Sequence, residues 1–291
     1  ITTRLVGSEM CIRDRHNVLL RRFTLSVGVL ANYNSALNEG IHFYPGIDAS
    51  YRIGDNFRLY GSWNRALRMP TFTDLYYECK TNKGNPDLKP EESEAFEVGL
   101  KYNSYFLRAH IAGFYRKGKN MIDWVKEKPE DIWESQNLTK VDNLGFETNL
   151  SLLPRELGNE RFFIRKIELG YAFIHQDKDS EGYISNYALD YLKHKFTAQL
   201  SHSIWKGFSA TWYVRWQDRA GSYTKYENLK PAYEEPYAPY CLVDMKVNWE
   251  YQRLNLYAEL NNLLNSTYYD LGNIPQPGIW FKAGFRYSFK Y

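Results

Sequence analysis

The sequence predicts an all-β protein, the wall of a transmembrane antiparallel β-barrel, on three observations. Apolar and polar residues alternate with period two over many long segments. Short and long connections alternate along the chain. Aromatic residues make up 17% of the 291 positions, with 25 Tyr, 16 Phe and 8 Trp. Period two is the strand signature, because successive strand side chains point to opposite faces. Short turns on one side and long loops on the other, with aromatic girdles between, is the pattern of bacterial outer-membrane barrels.

The last segment shows the alternation best. Phe281, Ala283, Phe285, Tyr287, Phe289 and Tyr291 form one row, and Lys282, Gly284, Arg286, Ser288 and Lys290 the other. Earlier segments repeat it. Phe57, Leu59, Gly61 and Trp63 alternate with Arg58, Tyr60, Ser62 and Asn64. Phe96, Val98, Leu100 and Tyr102 alternate with Glu97, Gly99 and Lys101, and Tyr105 to Ile111 follow after a turn at Asn103-Ser104. Rows also run through 144–152, 167–173, 208–217 and 241–249, with weaker ones at 22–30, 43–53, 194–204 and 253–264. This gives about twelve strands, each near or above the roughly 9–11 residues that cross a bilayer. Short connections fall at Gly54-Asp55-Asn56, Asn103-Ser104, Trp205-Lys206-Gly207 and Tyr251-Gln252, with a medium one at 154–165. Long polar ones cover 31–42, 66–92, 117–140, 175–193, 218–239 and 266–279. Counting back from Tyr291, every long connection falls on the outer side.

Composition narrows the function. The mean hydropathy of −0.57 and the lack of a run of about 18 apolar residues argue against helical spans, but a barrel can wet every second strand residue. Net charge is +3 with Lys and Arg scattered, so no nucleic-acid partner is expected. No catalytic elbow, zinc-protease motif or phosphate loop occurs, and no catalytic residue, metal site or cofactor is expected. His202 and Ser203 are the one adjacent His–Ser pair, and strand neighbours face apart. Asp177, Asp179 and Glu181 have hard-cation spacing, with a solvated loop as the plainer reading. Cys79 and Cys241 read as unpaired thiols, with a disulfide as the open alternative. Residues 1–15 read as a non-native leader, because Leu5 to Arg15 resembles a translated sequencing-adapter read. No signal peptide is visible. The remaining domain is 16–291.

One loop region carries motifs. Arg68-Met69-Pro70-Thr71 is followed by Asp74-Leu75-Tyr76, then by Gly84-Asn85-Pro86-Asp87-Leu88-Lys89-Pro90-Glu91, then by Glu97-Val98-Gly99. Prolines stop the strand and stiffen the loop; Gly84-Asn85 allows a turn. Further on stand Asn143-Leu144-Gly145-Phe146-Glu147, Asn262-Leu263-Leu264-Asn265 with Tyr268, and Pro277-Gly278. In this order and spacing the chain resembles the TonB-dependent outer-membrane receptors over nearly all of 50–291. It departs from their usual pattern at Asn265, where Asp is common, and at Ile279, where Arg often follows Pro-Gly.

The resemblance implies a barrel of about 22 strands closed by an N-terminal plug, of which this chain would supply the C-terminal strands. It implies the outer membrane of a Gram-negative bacterium and energised uptake of a large scarce nutrient, cobalamin or an iron–siderophore. Partners implied are the TonB complex, the barrel-assembly machinery (recognising Phe289 or Tyr291), and outer-membrane lipid with lipopolysaccharide. Candidate ligand contacts are Arg65, Arg68, Tyr76, Tyr77, Trp133, Tyr223, Tyr226, Tyr233 and Tyr269, since Tyr and Trp give rigid contact area and Arg attracts anions. An interfacial aromatic girdle accounts equally for some of these. A passive barrel of about twelve strands and an outer-membrane hydrolase remain as alternatives.

Overall fold

A computed structural model describes residues 9–34, 41–128, 130–158, 161–179, 182–185, 191–227, 230–271 and 274–289. Thirteen main strands run through the described residues: β1 Glu9–Leu19, β2 Phe23–Asn34, β3 Ile41–Ile53, β4 Phe57–Arg68, β5 Glu91–Asn103, β6 Leu107–Lys126, β7 Trp133–Leu152, β8 Ile164–Asp179, β9 Leu192–Trp205, β10 Phe208–Arg219, β11 Tyr240–Tyr251, β12 Leu254–Asn261 and β13 Trp280–Tyr287. They lie in the sheet in sequence order. Every main-strand register given in full is antiparallel, as meander connections require. The expected all-β fold is therefore observed. Its α-helix, α1 Phe72–Tyr76, is one turn and a half long.

The chain divides into two compact units: residues 1–100, 112–145 and 175–189 form the first, and 101–111, 146–174 and 190–291 the second. In the first, β2 pairs β1 from Leu19↔Thr24 to Glu9↔Asn34, so residues 9–15 take part in a ladder. The burial pattern is inverted relative to a water-soluble sheet. Val27, Val29, Phe43, Ile47, Phe57, Leu59 and Phe96 are exposed, and Val98 is 63% exposed. Ser26 and Asn32 are buried instead. Polar partners meet on the other face: Arg15 Nη2 lies 3.3 Å from Asp48, and Tyr60 Oη donates to Glu97 at 2.8 Å. A large apolar exposed surface needs a covering medium, and for strands of this length that medium is lipid.

The second unit repeats the arrangement. Phe281 and Phe285 are exposed, the latter 74%, and Phe289 beyond the strand is exposed too. The register places Lys246 opposite Glu259 and Glu259 opposite Lys282. Glu259 accepts from both amines, at 2.7 and 2.6 Å. One face carries hydrocarbon and the other carries neutralised charge. Turns fall where expected, with Gly207 and Gln252 at positive φ and Ser104 N–H donating to Leu107 O at 2.8 Å.

Three expectations on length change. The 117–140 connection is short, because β6 runs to Lys126 and β7 starts at Trp133; both strands have 20 residues, more than a bilayer needs. The strand read at 22–30 extends to Asn34. The last strand ends at Tyr287, and Tyr291 lies outside the described residues.

Candidate functional site

The motif loop between β4 and β5 belongs to the first unit and is built by its own hydrogen bonds. Thr71 and Asp74 form a capping box: Asp74 N–H donates to Thr71 Oγ1 at 3.2 Å, and Thr71 N–H donates to Asp74 Oδ2 at 2.9 Å. Such reciprocal caps satisfy donors at a helix start, and Pro70 before them stops β4. The backbone then folds back on α1. Gly84 N–H donates to Tyr77 O at 2.6 Å, and Asn85 N–H to Asp74 O at 2.9 Å. A Cβ at Gly84 would lie 2.8 Å from Leu75 C and Tyr76 N, so this approach needs glycine. Asn85 Oδ1 accepts from Asp87 N–H at 2.9 Å, and Leu88 is buried.

Charge fixes the base of the loop. Arg68 forms a two-pronged pair with Glu91, through Nε to Oε2 and Nη2 to Oε1 at 2.6 Å. Glu91 is buried and also accepts from Ile122 N–H at 2.8 Å. Arg65 lies 3.1 Å from Glu92 and 3.5 Å from Glu94. Asn137 on β7 clamps the far side: its Oδ1 accepts from Lys89 N–H at 2.9 Å, and its Nδ2 donates to Lys89 O at 2.9 Å and Asn120 O at 2.7 Å. Pro86 and Pro90 stiffen the path between these bonds. The Glu97-Val98-Gly99 motif has a packing reason. The ring of Tyr60 lies over Gly99, where a Cβ would meet it at 2.5 Å, while its hydroxyl reaches Glu97.

Other motif residues serve similar ends. Asn143 is partly exposed and Gly145 buried. In the second unit, Glu147 lies 3.7 Å from His110. Asn262 is buried at φ 52 and ties the loop before β13. Its Oδ1 accepts from Ser266 N–H at 2.9 Å, and its Nδ2 donates to Ser266 O at 2.9 Å and Pro277 O at 3.2 Å. Leu263 N–H donates to Val243 O at 2.8 Å. Asn265 Oδ1 caps Ile279 N–H at 3.0 Å, and Tyr268 lies tilted against Tyr240 at 4.7 Å.

The candidate ligand contacts divide between the units. In the first, Tyr76 and Tyr77 are exposed on the motif loop; Tyr77 meets Trp124 edge-on at 6.4 Å. Trp133 lies under Lys126 Nζ at 4.6 Å. Arg65 and Arg68 are occupied by the carboxylates just named. Beside Tyr77, the exposed Cys79 thiol is held down at about 7, chiefly by a hydrogen bond from Thr81.

The second unit gathers the rest. Tyr223 packs against Tyr237 at 5.1 Å and Tyr269 at 5.6 Å. Desolvation, followed by the Glu235 charge, pushes the Tyr223 phenol up. Arg219 lies over Tyr237 at 5.2 Å and donates to Asp270 O at 2.6 Å. Tyr240 donates to Asp270 Oδ1 at 2.6 Å. Together Arg215, Gln217, Arg219, Tyr237, Tyr240 and Tyr269 line a cavity of about 200 Å³. Tyr233 stands exposed outside it, and the side chain of Tyr226 lies outside the described residues. Arg219, Tyr240 and Asp270 had no sequence motif; Arg215 and Gln217 were legible only as members of a polar row.

A hydrolase constellation does not form among the described residues. Ser203 Oγ is bound by two arginines, and His202 Nε2 accepts from Trp212 at 3.2 Å. No group of three potential metal ligands occurs among the described residues; Glu181 and the side chain of Asp179 lie outside them. Cys79 and Cys241 are free thiols.

Lipid-facing apolar rows, a charged inner face and a loop of stacked caps define a class, the wall of an outer-membrane β-barrel. The chain belongs to the TonB dependent receptor-like, beta-barrel family, whose profile matches residues 15–263. It is 27% identical over 178 residues to the vitamin B12 transporter BtuB of Vibrio vulnificus, covering 48% of this chain and 28% of that protein. It is 25% identical over 287 residues to the ferripyoverdine receptor of Pseudomonas aeruginosa, covering 92% and 32%. Among solved structures, the ferric enterobactin receptor PfeA of Pseudomonas aeruginosa matches at a TM-score of 0.75 and 19% identity, over 97% of this chain and 45% of that one. At that identity the likeness shows the fold. The aligned stretches cover under a third of both curated relatives. Family members are outer-membrane receptors and transporters of Gram-negative bacteria, not enzymes, and this chain shares that location.

Proposed function

We propose that the chain forms the C-terminal part, from residue 16, of a receptor that draws a large scarce nutrient across the outer membrane using energy delivered by the TonB complex. The cargo is cobalamin or an iron–siderophore complex. The observation that carries this reading is the cavity of Tyr237, Tyr240, Tyr269, Arg215 and Arg219, with Tyr223 packed beside it. Tilted aromatic rings beside guanidinium groups offer one edge of a large, flat or anionic ligand a contact at low entropic cost. Relatives that carry vitamin B12 and ferripyoverdine support both cargo classes. Arg65 and Arg68 act by shaping the motif loop that presents Tyr76 and Tyr77. The barrel-assembly machinery reads the closing aromatics, Phe289 or Tyr291, and lipid and lipopolysaccharide cover the outward rows.

The test is growth of a strain lacking the gene, with cobalamin limiting in one culture and siderophore-bound iron in another. A defect in one names the cargo, and the full gene restores growth. Tyr223→Ala with Tyr269→Ala restores it only partly. Normal growth in both media contradicts the proposal.

A further inference from the structure

The turn between β7 and β8 holds a concentration of donors that the receptor reading does not use. It opens with a 3₁₀ turn, Pro154–Leu157, that closes on Gly158 at φ 103. Arg155 is anchored by Nε donating to Phe162 O at 2.9 Å, which leaves its fork pointing on to Ser203 Oγ, 2.7 Å from Nη2. Arg165 arrives at the same oxygen from β8, its Nε at 2.8 Å. A register shift puts it there. Lys166 pairs Ser201 while Ile164 pairs His202, so Arg165 is the extra residue of a bulge, and bulges re-aim a side chain.

Two guanidinium groups therefore surround one hydroxyl. Accepting from both uses the two lone pairs of Ser203 Oγ, and its own O–H remains a donor. Among the described residues no carboxylate pairs with either arginine, and no acceptor faces the Ser203 proton. The contrast with the same unit is sharp. Glu259 neutralises Lys246 and Lys282, and Glu168 neutralises Lys166 at 2.8 Å. Paired like charges with unmatched donors call for an anion.

We propose that Arg155, Arg165 and Ser203 form an oxyanion site for a phosphate group. Its several acceptor oxygens answer two forked guanidinium groups and one hydroxyl, which a single carboxylate does less completely. Leu157, Phe162, Phe163, Ile204 and Trp205 stand exposed around the site, so the phosphate comes either from a phospholipid headgroup, with these residues against its chains, or from free phosphate.

The test uses the protein purified from outer membranes into phosphate-free detergent and titrated calorimetrically. One arm uses inorganic phosphate, the other short-chain phosphatidylglycerol. Saturable binding of one probe per chain is expected, weakened at least about tenfold in Arg165→Gln and in Ser203→Ala, the loss of one charge-assisted bond. Tighter binding of the lipid assigns the source to the membrane; equal binding assigns it to free phosphate. Heat-shifted gel migration checks folding, and Ser203→Ala keeps both cations should Arg165→Gln fail to assemble. No saturable binding of either probe, or unchanged binding in the folded variants, overturns the proposal.

Discussion

Arg68→Ala removes the pair that fastens the base of the motif loop. Glu91 is buried and would keep Ile122 N–H as its donor, losing both guanidinium bonds. Two hydrogen bonds to a charged group are worth about 3–6 kcal/mol together. The Arg68 side chain is half exposed, however, and water entering its place recovers a large part. A net loss of about 2 kcal/mol is the working figure. That loss is local, because the caps of α1 and the Asn137 clamp are untouched. Hydrogen exchange of the full-length protein in detergent reads it directly. The Ile122 amide and the loop amides of 84 and 85 should exchange about 30-fold faster, and amides of β11 should not change. Unchanged protection at Ile122, or an equal rise throughout the barrel, would refute this account of the loop.

Other predictions follow from single contacts. Gly99→Val places a methyl-bearing carbon against the Tyr60 ring, costing about 1–3 kcal/mol of overpacking; folded yield on heat-shifted gels should fall, and Tyr60→Ala in the same chain should restore it. The Cys79 thiol, held at about 7 chiefly by Thr81, should alkylate with a pH midpoint near 7, rising toward the ordinary thiol range in Thr81→Ala; a wild-type midpoint near 9 contradicts the geometry. Lys225 donates to Glu235 at 2.6 Å and holds that carboxyl below its ordinary value. A lowered carboxyl stabilises the hairpin Ser222–Glu227 with Lys230–Pro236 above the usual carboxylate range, and that support is lost as pH falls below this range through the lowered value. The protection factor of the Lys225 amide, its rate taken relative to the intrinsic rate at the same pH, should fall in acid in the wild type and show no such step in Glu235→Gln.

The wall was legible in the sequence because a membrane imposes one rule on every strand. Phe281, Phe285, Val98 and Leu59 alternate with polar residues whatever their neighbours, and the turns at Gly207 and Gln252 needed only local signals. Legibility faded where β6 and β7 leave the lipid. Beyond Tyr115 the run 116–120 is polar or glycine at every position, and Met121, Ile122, Trp124 and Val125 follow without strict alternation, so period two disappears and the sequence reads as a loop where the chain stays extended to Lys126. The helix α1 is too short for a 3.6-residue period, though Thr71 to Asp74 is a readable capping pattern. The motif residues were found as a resemblance, but their work was hidden: nothing in sequence says that Arg68 reaches Glu91 or that Asn137 clamps Lys89. The cavity around Tyr269 was half visible as a count of tyrosines. Arg219, Tyr240 and Asp270 meet only after three strands and a loop are in register, so no local signal could select them.

The central claim is that the strands form a lipid-covered wall with one apolar and one wet row. Single cysteines placed at 280–287 of the full-length protein in outer membranes, one at a time, test it most directly. Each is labelled with a fluorophore and exposed to a lipid-borne and a water-soluble quencher. The account predicts lipid quenching at Phe281, Ala283, Phe285 and Tyr287, and aqueous quenching at Lys282, Gly284 and Arg286. Uniform aqueous quenching, or an alternation of opposite phase, would contradict it.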